Sequence, residues 1–311
     1  MSSFTQNRRL GRGVNIIGYD PLWDSPEIAR MRDHHFHRIA EAGFDSVRIN
    51  LHAFRHMGPE PEYELSPGWR ETLNWAVSQA LSCGLSVVLD LHEFEAMGKA
   101  PLENRERFVA FWEQIAEQYS GAPDSVFFEI LNEPFGELTP ALWNTYLAEA
   151  LRLIRVQHPT RAVIVGPGHW NGITHLAELQ LPQDDRDLIV TVHYYSPMQF
   201  THQGAAWSQF KDLSGIVWAG TAAEKAAIEA DFAAAQRWAA QERRPLYLGE
   251  FGAYDQADMA SRARYTAFVA RQAELLGWSW AYWQFDSDFV VYDIPNERWV
   301  EPIRDALIPR G

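Results

Sequence analysis

Short runs rich in β-branched and aromatic residues alternate with longer runs of helical periodicity along the whole chain, and no other feature narrows the fold as much. The strand-like runs are Gly13–Ile17, Ser46–Leu51, Ser86–Leu91, Val126–Leu131, Ala162–Val165, Leu188–His193, Leu246–Gly249 and Trp278–Trp283. Helical runs fall between them at Glu27–Ala42, Glu71–Ser82, Arg105–Tyr119, Ala141–Gln157, Ala222–Gln241 and Ala260–Leu276, with a short, weak segment near Thr174–Leu181. Gly43, Gly84, Gly121 and Gly277 each stand just past a helical run, where a left-handed cap suits glycine. Eight strands separated by helices predict parallel pairing through right-handed crossovers, and so an α/β fold. Spread over eight units, 311 residues allow about 39 per unit, which suits a (β/α)8 TIM barrel with some long loops. The rival, a doubly wound open sheet, carries a glycine-rich turn after its first strand, whereas Gly11-Arg12-Gly13 precedes that strand here. No linker, low-complexity tract or shift in composition divides the chain, so residues 1–311 are expected to form a single domain.

Charge and cysteine content remove several function classes. The 41 acidic and 27 basic residues give a formal charge of −14, a surface that repels phosphate backbones and anionic membranes. Neither nucleic acid nor a membrane is expected as a partner. No apolar run approaches the roughly 18 residues that cross a bilayer, so a soluble protein is expected. The single cysteine, Cys83, excludes an internal disulfide and reads as a core residue at a helix end. Arg32-Asp33-His34-His35-Phe36-His37 looks like a metal cluster, but it lies in a helical run with no carboxylate-rich loop beside it. Asp90-Leu91-His92-Glu93-Phe94-Glu95 is a similarly weak ligand set, and no nucleotide fingerprint or phosphate loop occurs. No metal and no cofactor are expected. Met1 to Arg9 is polar and lacks an apolar signal core, which predicts a cytoplasmic protein, or an extracellular one if a leader is removed. A monomer is expected.

The polar residues at the strand ends are more telling. Strand two, Val47-Arg48-Ile49-Asn50, has an arginine inside an apolar run. Strand three ends Asp90-Leu91-His92, strand four Asn132-Glu133-Pro134, strand six His193-Tyr194-Tyr195, strand seven Glu250-Phe251-Gly252 and strand eight Tyr282-Trp283-Gln284. In a barrel these C-terminal ends converge on one rim, where such enzymes place their chemistry. Each residue alone has a structural explanation; six strands supplying the same rim do not share one. Glu133 and Glu250 are the reactive candidates, because glycoside hydrolysis needs one carboxylic acid to protonate the leaving oxygen and a carboxylate on the other face of the sugar. Acyl transfer is disfavoured: no glycine-flanked serine elbow occurs, and Cys83 lies at the wrong end of its unit.

With Arg12-Gly13-Val14-Asn15 at strand one, Leu131-Asn132-Glu133-Pro134, Gly249-Glu250-Phe251-Gly252 and Tyr282-Trp283-Gln284-Phe285, the chain resembles glycoside hydrolase family 5, the family of many endoglucanases and mannanases. The resemblance implies a retaining mechanism with Glu133 as general acid/base and Glu250 as nucleophile. It implies that Asn132 bonds the 2-hydroxyl of the cleaved sugar, that Arg48 and Tyr195 hold the nucleophile ionised, that His92 and His193 line the subsite, and that Trp283 forms its floor. The activity implied is endo-β-1,4-glucanase, acting on a β-linked polysaccharide or oligosaccharide. The same machinery on β-mannan, xyloglucan or mixed-linkage glucan is the alternative, and a non-catalytic carbohydrate-binding barrel is disfavoured by the complete set. The chain also carries 13 Trp, 11 Tyr and 17 Phe. Trp23, Trp170 and Trp207 are candidate platforms for sugar rings, and the long segment Ser196 to Gly220 is expected to form a wall of the cleft or to pack under a lid.

Overall fold

A computed structural model of the protein describes residues 1–310. Strands β1 (Arg12–Ile16), β2 (Ser46–Leu51), β3 (Ser86–Leu91), β4 (Val126–Glu129), β5 (Val163–Val165), β6 (Leu188–Tyr194), β7 (Leu246–Phe251) and β8 (Ser279–Tyr282) pair in chain order. All the pairings are parallel, and β8 returns onto β1 to close the barrel. Helices Asp33–Ala42, Pro67–Ser82, Pro101–Gln118, Pro140–Gln157, Ala222–Glu242 and Met259–Leu275 lie between the strands in sequence, so the (β/α)8 expectation holds. Among the described residues no helix is long and apolar enough to cross a membrane.

Two local expectations fail, each for a visible reason. The run Glu27–Ala42 does not form one helix: Pro26–Ile28 is a single 3-10 turn and the helix starts at Asp33. The buried Asp20 carboxylate accepts the backbone N–H groups of Arg30 (3.1 Å) and Met31 (2.9 Å), which holds the chain out of the helical path. Gly43, Gly84 and Gly277 adopt the left-handed cap (φ 99°, 78° and 75°), but Gly121 does not. There the N–H groups of Tyr119 and Ser120 already bond the carbonyls of Ile115 and Glu117, and the helix has ended before the glycine. The polar N-terminus, for which the sequence pattern predicts no element, is a helix, Ser3–Leu10. Asn7 Nδ2 donates to the Leu246 carbonyl at 2.9 Å, and Ser46 Oγ donates to that of Leu10 at 2.6 Å. These bonds fasten the helix across the N-terminal ends of the strands.

Apolar packing separates into two clusters, and their arrangement leaves room for the site. The larger lies between the strands and the helices; the smaller fills the lower barrel with Leu10, Val88, Phe127, Ile164, Ile189, Tyr247 and Ala281. Side chains two residues on along a strand share a face. Above Val88 and Phe127, therefore, the interior continues with Asp90 and Glu129, joined by Asn15, Arg48 and Asn50, all fully buried. The barrel is apolar at its base and polar toward its C-terminal rim.

Candidate active site

The rim gathers the strand-end residues around one arginine. Arg48 on β2 donates through Nη1 to Glu250 Oε1 (2.8 Å) and to Asn15 Oδ1 (2.8 Å), and through Nη2 to Asn132 Oδ1 (2.9 Å). Its Nε and Nη2 also meet the two oxygens of Glu129, each at 2.8 Å, and Asp90 Oδ2 lies 3.1 Å from Nη2. Tyr195, just past β6, donates its hydroxyl to Glu250 Oε2 at 2.9 Å. His193 Nδ1 is 2.7 Å from Glu133 Oε1 and 3.6 Å from Glu250 Oε2.

Irregular backbone makes this meeting possible. The β6–β7 register slips between Val192 and His193, so that His193 stands opposite Glu250. The residue passed over is Gly249, where a Cβ would lie 2.5 Å from Thr191 Oγ1 and 3.0 Å from His193 Nε2. Only glycine leaves the imidazole its space. β4 ends at Glu129, short of the expected Leu131, and the chain reaches Glu133 with a left-handed φ of 40°.

Glu133 and Glu250 bring an oxygen of each within 4.8 Å of the other. That closeness is what a retaining pair, with carboxyl groups about 5–5.5 Å apart, requires. Burial pushes the Glu133 carboxyl up to about 8, with the charges of Asp90 and Glu129 adding and Arg48 opposing. Burial also raises Glu250, to about 7, where His193 and Arg48 oppose and Glu133 adds. Geometry separates the two: Arg48 and the Tyr195 hydroxyl both donate directly to Glu250, which favours the anion there. Burial is the larger cause at Glu133, ahead of any neighbouring carboxylate.

His92 follows β3, with Nδ1 2.6 Å from Asp90 Oδ2, and its ring stacks on Trp283 at 5.5 Å and 9°. Burial holds His92 neutral. Tyr19 stands edge-on to Trp283 at 6.4 Å, half exposed, and tilts against His52 at 5.1 Å. The eight residues of the family pattern thus lie together. Of the candidate platforms, Trp23 is turned away from solvent and the other two are exposed. Trp23 is buried against Trp69 (5.4 Å, 28°), with its indole N–H on the Ile17 carbonyl at 2.6 Å, so it offers no face to a ligand. Trp170 is 47% exposed and stacks on Phe135 at 3.8 Å, while its backbone N–H bonds the Pro134 carbonyl at 3.2 Å. It belongs to a left-handed run, His169, Trp170 and Asn171 (φ 54°, 63° and 53°), that turns Asn171 inward to His193 at 3.3 Å. Trp207 is 59% exposed, edge-on to Tyr254 at 5.0 Å. In the Ser196–Gly220 segment Phe200 and Trp218 pack inward while Trp207 faces out. Cys83 is only partly buried against the core.

Sequence reading missed Asn15, Tyr19, Glu129 and Asn171. For Glu129 the signal was present, since a carboxylate inside the run Val126–Leu131 demands a buried partner; Tyr19 and Asn171 lie on loops with no period to read. Three groups bring metal-ligand atoms within 4.8 Å: Glu133 with His193 and Glu250, His34 with His35 and Glu297, and His169 with His175 and Glu178. In the second, His35 Nδ1 accepts the Arg32 backbone N–H (2.9 Å), so Nε2 carries the proton and points it at Glu297.

The family model of cellulase, glycosyl hydrolase family 5, matches residues 9–289. The chain belongs to glycosyl hydrolase family 5. Among curated relatives, Endoglucanase H of Acetivibrio thermocellus is 28% identical over 99% of this chain, which spans 34% of that protein. The chain thus covers about a third of the length of that relative. The structure of endoglucanase Cel5A from Thermotoga maritima is 39% identical over 99% of this chain and 100% of its own, with a TM-score of 0.94. A hyperthermophilic endo-β-1,4-glucanase solved with substrate is 36% identical, with full coverage of both chains and a TM-score of 0.94.

Proposed function

We propose that this family 5 chain is a retaining endo-β-1,4-glucanase that works by double displacement, with Glu133 as acid/base and Glu250 as nucleophile. The observation that carries the reading is the pair itself: two carboxylates with oxygens within 4.8 Å, of which Glu250 receives both Arg48 and the Tyr195 hydroxyl. In the first step Glu250 attacks the anomeric carbon as Glu133 protonates the departing glycosidic oxygen. Once the glycosyl ester forms, the Glu250 charge is gone, and Glu133 takes a proton from the water that hydrolyses the ester. Arg48 and Tyr195 stabilise the Glu250 anion, Asn132 meets the 2-hydroxyl, and His92 and His193 line the subsite. Trp283, backed by the His92 ring, gives the sugar a flat floor.

Trp170 lies beside Pro134 and Phe135, in the loop that presents the acid, and this favours a place under the leaving-group side of the substrate. Exposed Trp207 extends the aromatic surface. The β-1,4-glucan preference is supported by the endoglucanase names of the relatives and by the substrate complex of the hyperthermophilic enzyme. Cel5A has also been solved with mannotriose, so mannan belongs in the test.

The experiment is reducing-end release from carboxymethyl cellulose, β-glucan, mannan, glucomannan and xyloglucan, with the first product anomer read by NMR. Highest turnover on β-1,4-glucan with a β-anomeric first product is expected; an α-anomeric first product overturns retention. Glu250→Ala should recover turnover with azide, giving the inverted glycosyl azide. Glu133→Ala should still cleave substrates whose leaving groups need no protonation.

A further inference from the structure

Arg48 faces three carboxylates, and the double displacement uses only one of them. Glu129 takes two of its N–H groups in a two-pronged pair at 2.8 Å each, Asp90 stands at 3.1 Å, and Glu250 receives Nη1 at 2.8 Å. Arg48, Asp90 and Glu129 are fully buried and Glu250 is 4% exposed, so no solvent screens this excess of negative charge. The planar two-pronged geometry makes Glu129 the guanidinium's strongest partner.

The geometry points to Glu129 as a positioning residue of the catalytic pair. By occupying Nε and Nη2 it fixes the plane of the guanidinium with Nη1 aimed at Glu250, and it draws off part of the positive charge that Glu250 and Glu133 would otherwise feel. The inference rests on reading Glu250 as the nucleophile.

Every strand around the arginine contributes to the balance. β1 offers Asn15, β2 Asn50, and β3 Asp90 with His92 past its end; β4 offers Glu129, with Asn132 and Glu133 beyond it. β6 supplies His193 and, after it, Tyr195, and β7 supplies Glu250. Burial favours the neutral forms of both histidines and Tyr195; it raises Asp90 and Glu129 as well, but there the contact with Arg48 opposes it and favours the anions. Glu129 can be neutralised without touching either reacting group. The field of Arg48 then falls more fully on both, and both release their protons more readily. The whole bell-shaped pH profile should move toward acid, whereas a packing defect lowers the bell without moving it.

The test uses Glu129→Gln and Glu129→Asp in the full chain. Two profiles are measured: kcat/KM against pH on an aryl cellobioside, and inactivation by 2,4-dinitrophenyl 2-deoxy-2-fluorocellobioside, which needs no acid and so reads Glu250 alone. Glu129→Gln should bring both limbs of kcat/KM and the inactivation limb down by about one pH unit. Glu129→Asp keeps the charge but shortens the fork, so its limbs should stay in place while kcat falls. A folded Glu129→Gln whose inactivation limb is unmoved or moves upward overturns the proposal. If Glu129→Gln does not fold, Asp90→Asn, which removes the other spare carboxylate, must shift that limb in the same direction, and an unmoved limb there also overturns it. Failure of the functional reading looks different: folded Glu250→Ala would not be rescued by azide, and the fluoro-glycoside would not label the wild type. Azide rescue with an unmoved limb removes only the role of Glu129.

Discussion

Replacing Tyr195 by phenylalanine deletes one hydrogen bond to Glu250 and little else. The hydroxyl donates to Oε2 at 2.9 Å, while the ring packs edge-on against His202 (5.0 Å) and Phe289 (5.8 Å), contacts that phenylalanine keeps. A hydrogen bond to a charged group is worth about 1.5–3 kcal/mol. Divided by 1.36 kcal/mol per pH unit, that predicts a rise of about 1–2 units in the Glu250 pKa. Tyr195 is only half buried and the Arg48 bond survives, so the lower end of the range applies. The sign is unambiguous: the lost bond favoured the anion, so the proton is held to higher pH. Below its acid limb the variant should therefore run about tenfold slower in kcat/KM, with the limb displaced upward by about one unit. Tyr195 cannot itself be the titrating group, because burial and the charge of Glu250 push its phenol well up. The assay is kcat/KM from about pH 4 to 9 on a dinitrophenyl cellobioside, alongside a melting curve. An acid limb at its wild-type position in a folded Tyr195→Phe protein would show that this hydroxyl does not stabilise the charged nucleophile.

Arg48→Ala strands Glu129, Asp90 and Glu250 together without their cation, and should cost about 3–5 kcal/mol in urea unfolding, with the acid limb raised wherever the protein still folds; near-native stability would contradict the pairing. Gly249→Ala places a methyl 3.0 Å from His193 Nε2 and should lower kcat by about tenfold or more as the imidazole leaves Glu133, at a stability cost of about 1–3 kcal/mol; unchanged kcat would show that the ring has slack. Glu93 accepts the Phe54 backbone N–H at 2.6 Å, and burial pushes its carboxyl up to about 7. A carboxyl raised on folding loses stability as pH climbs from its unfolded value, so Glu93→Gln should gain on wild type between about pH 5 and 8. Paired urea titrations at the two ends of that window decide it, and a constant difference would mean that Glu93 does not titrate there.

The barrel and the reacting pair were legible because both depend on repeated patterns. Strand alternation, glycine caps at Gly43, Gly84 and Gly277, and polar residues at successive strand ends each recur, and recurrence can be read without coordinates. What escaped depends on single contacts. Asp20 ends a helical pattern by taking two backbone N–H groups ten and eleven residues downstream, which no periodicity shows. Trp23 carried the composition of a sugar platform, but one indole bond to Ile17 and a stack on Trp69 turned it inward. Glu129 was visible as an anomaly in its strand, yet its partner lies 81 residues away on Arg48. The helix Ser3–Leu10 has too little apolar surface to announce itself, since its anchors are the polar Asn7 and the carbonyl of Leu10.

The left-handed run at His169, Trp170 and Asn171 sets stability against binding. His169 and Trp170 each have a Cβ that disfavours the conformation by roughly 1–2 kcal/mol, which asparagine tolerates better, so the run holds about 2–4 kcal/mol. That is a large share of the roughly 5–15 kcal/mol by which a folded domain exceeds its unfolded state. The run turns one tryptophan outward onto Phe135 and one asparagine inward onto His193. Selection for heat resistance alone would erode it, with glycine at the exposed position 169 as the easiest step. Selection for grip on a polymer would keep it strained. Laboratory evolution under each pressure separately should therefore diverge first at these three residues, well before it reaches the carboxylates.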